Sequence, residues 1–135
     1  MTVVRASARA TKRGAAANFT GEVFQDEVLV GQLPSRMRAT VVSFTPGART
    51  GWHTHPGILL LTLAADSGPI DWYDANCVKT VYKAGDSWTE STKLHDVFNS
   101  SAMDAHFLVT YVVAKGVNKR TDQSAPACAA ALGLP

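Results

Sequence analysis

Four histidines carry most of the chemistry this sequence offers: His53, His55, His95 and His106. His53 and His55 stand two apart in Thr50-Gly51-Trp52-His53-Thr54-His55. On a strand, positions i and i+2 point to the same face. The pair therefore sets two imidazoles side by side, which is a chelating arrangement for a divalent metal. His95, between Gly85-Asp86 and Asn99, offers a third ring. His106 opens a further apolar stretch. Imidazole titrates near working pH, so His106 is read as a general acid or base beside the metal, or as a further ligand. Glu90, in the loop region before His95, is the acid placed to act as a base or as a replacement ligand.

These residues need rigid elements to hold them, and the pattern is β. Glu22–Val30, Arg38–Phe44, Thr50–His55, Ile58–Ala64 and Ile70–Tyr73 read as short strands. Val78–Tyr82, Ser87–Thr89, Asp96–Phe98 and His106–Ala114 continue the series. Turn signals separate them: Gly31, Pro34, Pro46-Gly47, Pro56-Gly57, Ser67-Gly68-Pro69, Ala84-Gly85-Asp86 and Asn99-Ser100-Ser101. Many short strands with closely spaced turns predict an all-β sandwich or barrel. Ile58–Leu63 is apolar at every position but Thr62, so both of its faces are expected to be covered. A second sheet layer, the N-terminal segment or a partner subunit would do so, and a homodimer is the expected assembly. Thr40, Val42, Trp52, Leu59 and Leu61 are expected to line a substrate pocket, with Phe44, Trp88 and Phe107 adding apolar wall.

The whole chain has 135 residues, room for one domain with a real core and too few for two. Its 13 basic and 11 acidic residues leave a net charge of +2, too weak to point to nucleic acid. The charge is uneven. Residues 1–21 hold Arg5, Arg9, Lys12 and Arg13 and no acid. That stretch reads as a basic N-terminal tail, followed by a domain over 22–120 and a short C-terminal tail over 121–135. No apolar run reaches the roughly 18–20 residues of a membrane span, and no apolar stretch follows the N-terminal charges as in a signal peptide. The mature part of an exported bacterial protein and a cytoplasmic protein both stay open. Cys77 and Cys128 do not form a CxxC pair, which excludes a zinc ribbon or redox motif. One disulfide and two free thiols are the alternatives.

Gly47 followed by His53-x-His55, and Gly85 followed by His95 and Asn99, resemble the two motifs of the cupin superfamily. The resemblance implies a double-stranded β-helix, or jelly roll, with one divalent metal (Fe, Mn, Ni or Zn) inside. It assigns metal-ligand roles to His53, His55 and His95. Phe19-Thr20-Gly21, with Phe44-x-Pro46-Gly47-Ala48-Arg49-Thr50-x-Trp52-His53-Thr54-His55-Pro56, resembles the small manganese-binding cupins that include bacterial hydroxynitrile lyases. In those a Met and a His follow the second motif, as Met103 and His106 do here, and that His sits near the substrate. Ala84-Gly85-Asp86-Ser87, Leu108–Val113 and Lys115-Gly116 are similar to exported single-domain cupins, which implies a Cys77–Cys128 bridge. The sequence departs from the family pattern in two ways. The fourth ligand, a Glu or Gln, would fall at Leu59 or Leu60 and is lost. The second motif is one residue short, with Ser91 and Lys93 where Pro and Gly are usual.

The expected function is that of a metal-dependent enzyme on a small anionic or carbonyl-containing molecule, by dioxygenase-type oxidation or lyase chemistry. The alternative is a cupin that binds metal or a small ligand without turnover. No nucleic-acid or membrane partner is expected.

Overall fold

The computed structural model describes residues 5–30, 35–114 and 116–135. The turn expected at Gly31 and Pro34 lies outside the described residues. Two antiparallel sheets face each other across an apolar core. The larger has six strands in the order β1 (Thr11–Arg13), β2 (Val23–Val30), β3 (Ser35–Phe44), β10 (Ala105–Ala114), β5 (Leu59–Leu63) and β8 (Ser87–Glu90). The smaller has five, in the order β11 (Thr121–Asp122), β4 (His53–Thr54), β9 (His95–Phe98), β6 (Ile70–Asp74) and β7 (Lys79–Tyr82). A short helix, α1 (Ala127–Ala131), closes the C-terminus.

Alternation decides what each strand contributes. In β10, Ala105, Phe107 and Val109 are buried, while Leu108 and Val112 face out. In β3, Thr40, Val42 and Phe44 turn inward. Phe44 stacks on Phe107 at 5.3 Å between ring centroids, and Leu61, Leu63, Ile70 and Val97 complete the packing. β5 shows the same period: Leu59, Leu61 and Leu63 are buried, but Leu60 is 50% exposed and Ile58 just before it 59%. The expectation that both faces of this strand are covered fails within one chain. Its outer face meets no second layer among the described residues.

Within the N-terminal segment, described residues pack on the larger sheet. Thr11–Arg13 add an edge strand to β2, pairing Thr11 with Asp26 and Arg13 with Phe24. Phe19 packs edge-on against Phe44 at 6.3 Å, and Thr20 bridges to Arg49. The backbone of an open sheet edge takes up a short polar strand through its hydrogen bonds, whatever the side chains. The C-terminal segment is likewise built in. Thr121 and Asp122 pair with Thr54 and His53 of β4. A disulfide joins Cys77 to Cys128 with Cα atoms 6.1 Å apart. Trp52, Cys77 and Ala129 form a second apolar cluster beside it. No helix among the described residues is long and apolar enough to cross a membrane.

Candidate metal centre

β4 is only two residues long, yet its setting places both of its flanking rings. Gly51, at φ +69°, adopts the left-handed conformation that suits glycine. Its carbonyl accepts a hydrogen bond from His53 Nδ1 at 2.9 Å. His55 Nδ1 donates to the Lys119 carbonyl at 2.7 Å, and His95 Nδ1 to the Lys93 carbonyl at 2.9 Å. A carbonyl only accepts, so each Nδ1 carries the proton. Each neutral ring then presents Nε2 as a bare lone pair.

All three Nε2 atoms converge. Those of His53 and His55 lie 3.2 Å apart, and one ligand atom from each of His53, His55 and His95 falls within 4.8 Å of the others. Register explains it: His53 pairs directly with His95 across β4 and β9. All three rings are buried. Backbone carbonyls fixing the far nitrogen of each ring are the usual support for metal-bound histidine. The donors fit a divalent ion, because converging lone pairs repel without a cation between them. His95 Nε2 is a buried atom with no hydrogen-bond partner among the described residues.

Glu90 joins this group. It ends β8, is 3% exposed, and sets Oε2 at 3.2 Å from His95 Nε2 and 3.4 Å from His55 Nε2. Its Oε1 accepts from Trp72 Nε1 at 3.1 Å. Burial alone would raise the Glu90 carboxyl, but His55 and His95 outweigh it and hold the group well below the usual carboxylate range. Burial alone would lower His95, and the Glu90 carboxylate reverses that, raising it. Burial, with the charges of His95 and Arg120 behind it, lowers His53 to about 2.

A cavity of about 220 Å³ opens beside these rings. His53, His55 and Glu90 border it, and Val42, Phe44, Leu59, Leu61, Phe107 and Val109 form an apolar wall. The N-terminal segment supplies Ala15, Asn18 and Phe19. Lys119 and Arg120 form a cationic rim. The Lys119 ammonium lies over the Tyr111 ring at 4.9 Å. Arg120 donates to the Thr50 carbonyl and to Asp122, both at 2.6 Å. Burial pushes the Tyr111 phenol up to about 12.

The sequence-derived residues divide. His53, His55, His95 and Glu90 come together, and Val42, Leu59 and Leu61 line the cavity. Three others do not belong to it. His106 has the opposite parity from Phe107 and Val109, so it lies on the outer face of the sheet, where its Nδ1 meets Ser43 Oγ at 2.8 Å. It stands apart from the histidine cluster, and the parity was legible in the sequence. Trp52 alternates with His53 and packs on the disulfide side. Thr40 is buried in the core but does not border the cavity. The sequence reading missed Tyr111, Lys119 and Arg120. It also missed a buried ion pair between Arg49 and Asp96. Thr50 Oγ donates to Asp96 at 3.0 Å and accepts from the Val97 amide at 3.0 Å. This network ties the approach to β4 onto β9, and so fixes His53 against His95.

Comparison with known proteins follows the same lines. The chain is similar in structure to a cupin-like protein from Thermotoga maritima, with a TM-score of 0.69 and 20% identity over 84% of each chain. The chain has the cupin fold. A predicted oxalate decarboxylase from Thermotoga maritima also resembles this chain, with a TM-score of 0.70 and 24% identity over 84% of this chain and 99% of that one. Over 68 residues the chain is 38% identical to an (R)-mandelonitrile lyase of Granulicella tundricola. That match covers 50% of this chain and 52% of the lyase, so the chain spans about half the length of the curated relative it matches. No family profile matches the chain.

Proposed function

We propose that this cupin is a metal-dependent enzyme acting on a small anionic or carbonyl-containing organic molecule. The observation that carries the reading is the convergence of three Nε2 lone pairs, each fixed by a backbone carbonyl on Nδ1. His53, His55 and His95 would hold the ion, and the cavity beside them would take the substrate. A divalent ion bound there supplies Lewis acidity toward a substrate oxygen or, where it is iron, redox chemistry with dioxygen.

The chain's own residues do the rest. The apolar wall from Val42 to Val109 excludes water and accepts a small organic body. Lys119 and Arg120 draw an anion to the mouth. Tyr111 keeps its proton at working pH and stays a hydrogen-bond donor toward the cavity. The partial likeness to a mandelonitrile lyase supports a lyase on a carbonyl adduct, and the likeness to a predicted decarboxylase supports an anionic substrate. We also propose a homodimer in which a second copy covers the outer face around Leu60 and Leu108.

The test begins with elemental analysis of untagged protein, which should hold one divalent ion per chain. Protein loaded with Fe, Mn, Ni or Zn is then assayed for oxygen uptake with β-diketones, α-hydroxy acids and thiols, and for cyanohydrin cleavage. Turnover that disappears in His53→Ala is the expected result. Metal uptake unchanged in His53→Ala would sink the site. Bound metal without turnover on any substrate would point to a binding module.

A further inference from the structure

The lost carboxylate at Leu59 has a counterpart one strand away. Leu59 of β5 pairs directly with Glu90 of β8. Paired residues point to the same face of a sheet, so Glu90 reaches the space beside the Leu59 side chain. The same row continues through Tyr111 and Arg38. A carboxylate on β8 thus projects into the interior next to the point where one on β5 would.

Glu90 has no structural partner that accounts for it. Trp72 satisfies Oε1. Among the described residues Oε2 meets only the Nε2 atoms of His55 and His95. With Nδ1–H committed to a backbone carbonyl, each neutral ring offers a lone pair there, and only a protonated ring donates to Oε2. A buried carboxylate without donors is costly. Four such acceptor atoms make sense around a cation: His53 and His55 Nε2 lie 3.2 Å apart, Glu90 Oε2 lies 3.2 and 3.4 Å from His95 and His55, and the three histidine donors all fall within 4.8 Å. Ligand bonds of about 2.1 Å put neighbouring donors roughly 3.0–3.4 Å apart.

We propose that Glu90 is the fourth protein ligand of the metal, supplied across the β5–β8 pair in place of a ligand at Leu59. The proposal rests on the three-histidine reading above. Its consequence is a site with one negative ligand, so that a divalent ion keeps a single positive charge toward the cavity. Trp72 then acts as the positioning residue that leaves Oε2 free to turn to the ion.

The test uses Co(II) binding to the full chain, followed by visible absorption and by competition with a chelator. Glu90→Gln is isosteric and keeps the Trp72 hydrogen bond. It should weaken Co(II) binding at least about tenfold, the lower end of what even supporting residues of metal sites cost, and should alter the absorption bands. Moving the carboxylate back, in Leu59→Glu with Glu90→Leu, should restore affinity to within a few-fold of the unmodified chain. A purely structural role for Glu90 would not be rescued in that way. Unchanged affinity and unchanged bands in Glu90→Gln would overturn the proposal. Loss of the three-histidine reading is separate, since it would appear as metal retained in His53→Ala whatever Glu90 does.

Discussion

His53 and His95 share a site but not a proton affinity, and this sets how the site should respond to pH. His53 is lowered to about 2 by burial, so it is neutral throughout the working range. His95 is raised because the Glu90 carboxylate outweighs burial. Its protonated form therefore persists to higher pH than an ordinary histidine's in the metal-free chain. Metal needs the neutral ring. Affinity should thus rise with pH up to the raised His95 value and level off above it. Calorimetry in two buffers of different ionisation enthalpy should find about one proton released per ion near pH 6 and almost none well above the usual histidine range. No proton release at the lower pH would show that His95 is already neutral there.

At the scale of elements, the C-terminal segment works as a clamp on the histidine cluster. Its Lys119 carbonyl fixes His55, Arg120 holds the Thr50 carbonyl, and β11 pairs with β4. The Cys77–Cys128 bridge and the packing of Ala129 beside Trp52 anchor that segment. The bridge closes a sequence separation of 51 residues, worth about 4 kcal/mol in the chain-entropy account. Replacing both cysteines with serine should lower the denaturation free energy by about that much and speed metal loss to a chelator. A stability loss with an unchanged rate of metal release would show that the clamp and the site are uncoupled. The same elements show where pattern reading succeeds. Nine strands were legible from alternation and turns. β1 and β11 were not, because Thr11-Lys12-Arg13 and Thr121-Asp122 bury nothing and exist only by pairing with a neighbour's backbone.

At the scale of the molecule, one face of the larger sheet carries exposed apolar side chains among the described residues. Met37, Leu60, Leu108 and Val112, with Ile58 at the rim, are all at least 40% exposed. Apolar residues gathered on one face mark an interaction surface more often than scattered ones do. Sedimentation should give a dimer, and Leu60→Asp a monomer that still binds metal. A monomer at assay concentration in the unmodified chain would remove the homodimer.

The sequence by itself determined the β class, the pairing of His53 with His55 on one side, and the candidacy of His95 and Glu90. Those follow from local facts: strand period, turn residues and histidine spacing. Tertiary structure decided which groups meet. Glu90 reaches the histidines only because β8 pairs with β5. His106 turns away through the parity of a strand whose buried face is chosen by β3 and β5. Arg49 finds Asp96, 47 residues along the chain, and Lys119 turns its carbonyl to His55. Each of these depends on pairing between distant segments, which the two-residue period of a strand does not encode.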